Sequence, residues 1–213
     1  MLVDVISDTV CPWCYIGKRR FDMARAERPD VEMSVRWRPF QLDPTIPADG
    51  VDRREYLEKK FGPNRSREIG DAIREAGEDA GIVFAFDKIE RSPNTFDSHR
   101  LIRWAASAGV QNEMVDILFR RYFEDGEDIG DRKVLLDAAR EAGMDHELVA
   151  YLLIHDKDAE LIRREDMLAR EMGISGVPTF LFEQAYAVMG AQEVEGYLKC
   201  IDKVSRKVAE RPA

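Results

Sequence analysis

The chain has 213 residues, of which 45% are hydrophobic and 34% are charged, and its formal net charge at pH 7 is −9. Basic residues are interleaved with acidic ones, so neither a nucleic-acid interface nor a polybasic membrane surface is expected. No apolar run is long enough to span a bilayer. This length suits one domain, or a compact domain that carries a large insertion.

The first residues lead directly into an apolar segment, with no basic leader, long apolar stretch or cleavage site before it. We therefore expect a cytoplasmic protein. The chain holds only three cysteines, too few for a disulfide scaffold. In a reducing compartment, two cysteines at CxxC spacing indicate a catalytic or metal-binding role.

The first forty residues predict a strand, a helix and a second strand. Residues 2–7 form an apolar run, 12–28 have helix-forming composition, and apolar and polar residues alternate over 31–38. Such a βαβ unit normally places its two strands parallel. Pro39 and the prolines that follow it end the second strand.

Two cysteines lie where the first strand passes into the first helix, in the sequence Cys11-Pro12-Trp13-Cys14. The free N–H groups and the positive dipole end of a helix N-terminus favour a thiolate at the first cysteine. Pro12 suits the first helical position, where its missing N–H is not needed. This placement indicates a redox site.

Residues 51–172 show helical periodicity, with apolar residues at i, i+3, i+4 and i+7. Plausible helix starts are Asp97 and Asp131. Glycines that suit the position after a helix C-terminus are Gly81, Gly109, Gly143 and Gly173.

After Gly176 the pattern predicts an antiparallel hairpin, with strands at 179–182 and 186–189, and a last helix over 192–210. The apolar face predicted for that helix holds Val194, Leu198, Ile201 and Val208. Neither end of the chain has enough strands to form a sheet alone. We therefore predict one α/β domain built from residues 1–43 and 173–213, with an inserted helical domain over 44–172.

A CxxC at the first helix of such a split βαβ…ββα sheet, with Gly176-Val177-Pro178-Thr179 before the third strand, resembles the thioredoxin superfamily. The large all-helical insertion resembles its DsbA-like branch. Five motifs resemble those of FrnE-like proteins: Asp8-x-x-Cys11-Pro12-Trp13-Cys14, Trp37-Arg38-Pro39-Phe40-x-Leu42, Asn94-Thr95-x-x-x-His99-Arg100, Gly126-x-Asp128-Ile129 and Gly173-x-x-Gly176-Val177-Pro178. That group is similar to 2-hydroxychromene-2-carboxylate isomerases and kappa-class glutathione transferases.

Two departures from these relatives bear on function. The isomerases and kappa-class transferases typically carry serine at the position of Cys11, where it orients the glutathione sulfur. A cysteine there makes an intramolecular disulfide available, which favours a thiol-disulfide oxidoreductase. The kappa-class Ser-Asp pair after Gly190 is replaced by Ala191-Gln192. This weakens the case for tightly held glutathione, which stays open as a cosubstrate; no tightly bound cofactor is expected.

The resemblance assigns roles around the cysteine pair. Cys11 is the expected nucleophile, and Cys14 would resolve the mixed disulfide that Cys11 forms. Trp13 would contact an apolar substrate or pack on the helical insertion. Because Trp13 lacks the positive charge of the histidine in DsbA, we expect Cys11 to be less acidic than the DsbA cysteine. Pro178 matches the superfamily's cis-proline, which would present the Val177 backbone to an extended substrate.

Asn94 and His99 are predicted to line the active-site cleft, although a single histidine on a helix is as often a packing residue. No metal site is predicted, because zinc needs four ligands. Cys200, His99, His146 and His155 are each isolated in the sequence. Cys200 is expected to be a half-buried, inert thiol.

Three function classes remain open at this point. The favoured one is a thiol-disulfide oxidoreductase acting on protein or small-molecule thiols or disulfides. The second is a glutathione-dependent isomerase or transferase on the same fold. The third is a non-catalytic binding module that retains the motif. The direction of electron flow is open, and the protein could be a monomer or a homodimer.

Overall fold

The computed structural model describes residues 1–210. The N-terminal part contains β1 (Leu2–Ser7), α1 (Pro12–Ala26) and β2 (Ser34–Pro39). The C-terminal part contains β5 (Thr179–Phe182), β6 (Tyr186–Met189) and α9 (Val194–Ala209).

The intervening segment is mainly helical, as predicted. Its helices are α2 (Arg53–Phe61), α3 (Pro63–Asp79), α4 (Phe96–Ser107), α5 (Gln111–Arg120), α6 (Arg132–Glu141), α7 (His146–Ile154) and α8 (Ala159–Glu171). It also holds a two-residue ladder between β3 (Val51–Asp52) and β4 (Arg91–Ser92), a short 3₁₀ turn at Phe86–Lys88 and a π-helical turn at Arg121–Asp125. Elements this short leave no periodicity in the sequence.

The two ends of the chain form one mixed sheet with strand order β2-β1-β5-β6. β1 pairs in parallel with β2 and antiparallel with β5, which in turn pairs antiparallel with β6. The predicted α/β fold is therefore confirmed: a split βαβ…ββα thioredoxin fold with a helical insertion. In this arrangement the C-terminal end of β1 and the N-terminal end of β5 meet beside the start of α1.

Most predicted helix ends are correct. At Gly81, φ is +72°, and Ile82 N–H donates to the Gly77 carbonyl at 2.8 Å, which ends α3 in a left-handed turn. Asp131 caps α6 by accepting from Lys133 N–H. The predicted helix start at Asp97 is wrong, because α4 begins at Phe96 and Asp97 pairs with Arg100 in its first turn.

Two other predictions need correction. β2 begins at Ser34 rather than at residue 31, because the residues before it form a turn in which Val31 N–H bonds the Arg28 carbonyl. In α9 the fully buried residues are Tyr197, Ile201 and Val204, whereas Val208 is exposed. Val208 lies one turn beyond the last buried residue of that helix.

The main apolar core runs from the sheet into the insertion, and α1 contributes to it. One side of α1 packs Phe21 against Phe180, with ring centroids 5.0 Å apart. Another side packs Tyr15 against Phe119, also at 5.0 Å. The helix that carries the CxxC is thus held by both parts of the chain.

Candidate functional site

The cysteine pair lies at the N-terminus of α1, as predicted. Cys11 is the N-cap residue, with extended backbone angles (φ −92°, ψ 111°), and Pro12 occupies the first turn. The Cys14 N–H donates to the Cys11 carbonyl at 3.0 Å, while the Cys11 N–H donates to the Asp8 carbonyl at 3.1 Å. Both cysteines are free thiols.

The surroundings of Cys11 favour a reactive sulfur. Its position places it at the positive end of the α1 dipole, and the first turn of α1 contains no acidic residue that would offset this. About 4% of Cys11 is exposed, whereas Cys14 has no exposed surface. Of the two cysteines, Cys11 is thus the one that has solvent-accessible surface.

The second sulfur is held in its protonated form. Burial raises the pKa of Cys14 well above the usual value of a thiol, and the neighbouring Cys11 acts in the same direction. Hydrogen bonds from the Ser7 side chain and the Asp8 backbone lower the pKa of Cys14, but they are the smaller effects. The two cysteines thus have distinct environments.

The segment before β5 lies against Cys11. The Cys11 thiol donates to the Val177 carbonyl at 3.7 Å, and the Val177–Pro178 peptide bond is cis. Pro178 in turn packs on Gly17 of α1, where an added Cβ would lie 2.9 Å from the Pro178 ring. Gly17 is a residue that the sequence analysis missed; its place one turn after the CxxC was the available signal.

Trp13 projects from the first turn of α1, and 37% of it is exposed. A large apolar side chain this open, two residues after Cys11, leaves ring surface for another molecule to contact. Its predicted part in substrate binding stays a prediction.

The side chains of His99 and Asn94 have different partners. His99, on α4, is buried and its Nε2 lies 3.3 Å from Asp8 Oδ1. Asn94 instead holds the loop after β2, donating to the Ile46 carbonyl at 2.5 Å and accepting from the Gln41 side chain at 3.1 Å. Their predicted contact with substrate remains untested.

The sequence analysis assigned no role to Ser7 or Asp8, and both lie in the site. The Ser7 side chain lowers the pKa of Cys14, against the larger effect of burial, and Asp8 Oδ1 lies 3.3 Å from His99 Nε2. Asp8 also accepts from the Leu42 N–H at 2.7 Å. Both are buried. Three consecutive polar residues, Ser7 to Thr9, between a buried strand and a CxxC were the available signal.

Residues 1–210 contain no group of three or more histidine, cysteine, aspartate or glutamate side chains placed to hold a metal ion. Cys200 is half-buried, and burial raises its pKa. Within the same residues, no helix has the length and apolarity needed to cross a membrane.

Residues 2–202 match the family model described as the DSBA-like thioredoxin domain. The chain belongs to this family. A solved structure of a probable DsbA oxidoreductase from Streptomyces coelicolor is similar to this DsbA-like protein, with 30% sequence identity and a TM-score of 0.89. The similarity covers 100% of this chain and 92% of that one.

Two more distant structures share the fold of this DsbA-like protein. A 2-hydroxychromene-2-carboxylate isomerase is 14% identical with a TM-score of 0.74, over 100% of both chains. The cytosolic disulfide reductase DsbM from Pseudomonas aeruginosa, solved with GSH, is 18% identical with a TM-score of 0.69, over 97% of this chain and 100% of that one. Two of the groups of relatives named in the sequence analysis, DsbA-like oxidoreductases and 2-hydroxychromene-2-carboxylate isomerases, are thus found among its structural neighbours.

Proposed function

We propose that this DsbA-like protein is a thiol-disulfide oxidoreductase that uses Cys11 and Cys14. The observation that supports the proposal best is the pairing of a slightly exposed Cys11 at a helix N-terminus with a buried Cys14 that contacts it. This geometry separates an attacking sulfur from a resolving one.

The reaction would proceed by two exchanges. The Cys11 thiolate attacks one sulfur of a substrate disulfide, a mixed disulfide forms, and the other substrate sulfur leaves as a thiolate. Cys14 then attacks the Cys11 sulfur, which forms the Cys11–Cys14 disulfide and releases the second substrate thiolate. Running the same steps in reverse oxidises a dithiol.

Substrate would be held by the surfaces beside Cys11. The Val177 backbone precedes β5 and could pair with an extended segment as an added strand does. Trp13 would supply apolar contact. The thiol or disulfide substrate could be a protein or a small molecule, with glutathione as a cosubstrate; the DsbM structure solved with GSH shares this fold.

A second candidate is a glutathione-dependent isomerase, supported by the shared fold of the 2-hydroxychromene-2-carboxylate isomerase. In that case the Cys11 sulfur would stand where those enzymes have a serine, and its role would be to orient glutathione rather than to exchange disulfides.

The substitution Cys11→Ser separates the two candidates. We expect Cys11→Ser to abolish reduction of insulin by the reduced protein, while Cys200→Ser retains full activity as the matched cysteine control. Glutathione-dependent isomerisation of a chromene carboxylate that survives or improves in Cys11→Ser would contradict the oxidoreductase proposal.

A further inference from the structure

A wide cleft lies in the helical insertion. Its volume is about 1300 Å³, which exceeds the roughly 300–1000 Å³ that is usual for small-molecule sites. The start of α4, the α7–α8 loop and one face of α8 line most of it, and the loop after β2 lines part of the rest. The cleft therefore has room for more than a small molecule.

One face of α8 gives the cleft its length. The residues of this helix that line it recur at helical spacing, from Ala159 through Arg163 and Asp166 to Arg170. At about 1.5 Å per residue, Ala159 and Arg170 lie roughly 16 Å apart along the helix axis. An extended polypeptide rises about 3.3 Å per residue, so about five residues of such a chain span this wall.

The polar wall at one end of the cleft is held in place by its own hydrogen bonds. Gln41 is buried, its N–H donates to Asp166 Oδ1 at 2.8 Å, and its side-chain amide donates to Asn94 at 3.1 Å. Arg170 donates to the Gln41 carbonyl and to Asp166. Because these groups are already fixed, a ligand does not have to order this wall when it binds.

The same end of the cleft adjoins the Cys11 site. The Arg170 guanidinium carbon lies 4.2 Å from the centre of the Phe40 ring. Phe40 and Val177 pack in one small apolar cluster, and the Val177 carbonyl accepts from the Cys11 thiol. A short series of direct contacts thus connects the cleft to the sulfur.

The carboxylates that α8 contributes to the cleft are paired with arginines of the same helix. Asp166 lies 3.1 Å from Arg170, and Glu160 pairs with Arg163. The charges on this wall therefore balance. Met167 lies between the two pairs along the helix and is 56% exposed, so the wall also offers an adaptable apolar contact.

The remaining carboxylates of the cleft have partners behind it. The buried guanidinium of Arg100 lies 2.7 Å from Asp97 and 3.8 Å from Asp156. Asp158 accepts from the indole N–H of Trp104 at 2.8 Å. No lining carboxylate is therefore without a partner among the residues that the structure describes.

Two cations of the cleft are not matched in this way. Arg132 and Lys157 line the cleft and are exposed, and neither is paired with a carboxylate among residues 1–210. Lys157 lies in the α7–α8 loop, at the opposite end of the wall from Arg170. The unmatched charge in the cleft is positive, which favours a ligand with carboxylate side chains.

We propose that the cleft binds about five residues of extended polypeptide with acidic side chains, next to the cysteine of a protein substrate. The inference rests on the proposed oxidoreductase function, and it selects protein disulfides among the substrates allowed there. In the mixed disulfide with Cys11, the chain beside the substrate cysteine passes Val177 and Arg170 and enters the cleft. Its carboxylates then lie near Arg132 and Lys157. A small disulfide reaches Cys11 without entering the cleft.

Peptides activated as pyridyl disulfides test this proposal in a Cys200→Ser background. The Cys11 thiolate attacks the peptide sulfur, a disulfide between Cys11 and the peptide forms, and the pyridine thiolate leaves and is measured by absorbance. The peptides share one activated cysteine, with flanking segments of about five residues that are rich in glutamate, in lysine or in serine. The pyridyl disulfide of mercaptoethanol, which is neutral and has no flanking chain, measures the chemistry alone.

We expect the glutamate-rich peptide to react about tenfold faster than the lysine-rich one at low ionic strength, and salt should reduce the difference. Arg132→Glu combined with Lys157→Glu should slow the glutamate-rich peptide by about tenfold, as for the loss of two exposed ion pairs. The rate with the mercaptoethanol probe should change less than about twofold, because that probe does not use the cleft.

The matched control is Lys199→Glu combined with Lys207→Glu. It makes the same change in net charge at exposed positions of α9, which does not line the cleft, and the preference for the glutamate-rich peptide should persist. Ala48→Trp tests the space itself. Ala48 is exposed and lines the cleft, so an indole there should slow all the peptides and leave the mercaptoethanol probe unchanged.

Equal rates for the glutamate-rich and lysine-rich peptides, or equal losses in the cleft and control variants, would overturn the proposed ligand. A loss that extends to the mercaptoethanol probe would also overturn it, because the substitutions would then act on Cys11 itself. Release of pyridine thiolate from that probe that does not depend on Cys11 would instead overturn the oxidoreductase proposal, so the two failures are distinguishable.

Discussion

The thioredoxin-like part and the helical insertion make different contributions to the cysteine pair. The sheet side supplies Val177, whose carbonyl accepts from the Cys11 thiol. The insertion supplies His99, whose Nε2 lies 3.3 Å from Asp8 Oδ1 in the loop before the cysteines. The front of the site, which is Cys11 with Val177, is therefore built by the part of the chain that carries the cysteines. The back of the site, which is Asp8 with His99, depends on the inserted helices.

The same contrast is visible in the packing of α1. Phe21 belongs to an aromatic group on the sheet side, with Phe180 and Tyr197, whereas Tyr15 belongs to one on the insertion side, with Phe119. Both groups are part of one core. The insertion therefore packs against one side of the helix that carries the CxxC motif.

The largest expected effect distinguishes the role of Cys11 from that of Cys14. In Cys14→Ser, Cys11 should still attack a disulfide, but the mixed disulfide should persist because no resolving sulfur is present. Mass spectrometry after treatment with oxidised glutathione should show one glutathione on Cys11. In the unsubstituted protein the adduct should be transient. A persistent adduct in the unsubstituted protein would contradict the assigned roles.

The next effect concerns the two aromatic groups. Phe21→Ala and Phe119→Ala should each lower the free energy of unfolding by about 3–5 kcal/mol, the usual cost of removing a buried phenyl ring. Because the core is continuous, each change should shift one common transition. Denaturant melts followed by fluorescence and far-UV circular dichroism would test this. Two separate transitions would show that the insertion unfolds independently.

A smaller effect follows from the protonated state of Cys14. The pKa of Cys14 is higher in the folded protein than in the unfolded chain, where it is about 8.5. The stability that this difference gives is fully present below the unfolded-state pKa, and it is lost as the pH rises through the folded-state pKa. The reduced protein should therefore lose about 1.4 kcal/mol per pH unit in that window, relative to reduced Cys14→Ser. Unfolding free energies measured from about pH 8 to pH 10 test this; a constant difference between the two proteins would be contrary to it.

The smallest effect lies in the insertion, away from the cysteines. Asp145 caps α7 by accepting from Glu147 N–H at 3.0 Å and from Leu148 N–H at 3.1 Å. Asp145→Ala should cost about 1 kcal/mol of stability, while Asp145→Ser should cost much less because serine is also a good cap. Thermal melts measure the difference. Insulin reduction should be equal in the two variants, and a selective loss in Asp145→Ala would link this cap to the site.

The position of the cysteine pair could be predicted from the sequence, because it depends on residues that are neighbours in the chain. The placement of Cys11 at a helix start follows from an apolar strand, a short polar segment and Pro12. The pairing of the two chain ends in one sheet follows from the number of strands that each end provides. These are local or topological properties, and the structure bears them out.

The contacts at the back of the site could not be predicted in the same way, because they depend on packing between residues far apart in the chain. The contact of His99 with Asp8 joins residues 91 positions apart, and no periodicity encodes it. Gly17 is likewise explained only by the approach of Pro178. The wrong start assigned to α4 has a local cause, since Asp97 is a good capping residue that instead pairs with Arg100 inside the first turn.

The central claim is that Cys11 and Cys14 form one reversible, two-electron redox couple. The most direct measurement is the fraction of protein oxidised at equilibrium in glutathione buffers of graded ratio, read by alkylation and peptide mass spectrometry. We expect a single two-electron transition with the disulfide mapped to Cys11 and Cys14, at a potential between about −270 mV and −120 mV, the range from thioredoxin to DsbA. A titration in which no Cys11–Cys14 disulfide forms, with Cys11 either reduced or joined to glutathione throughout, would contradict the account.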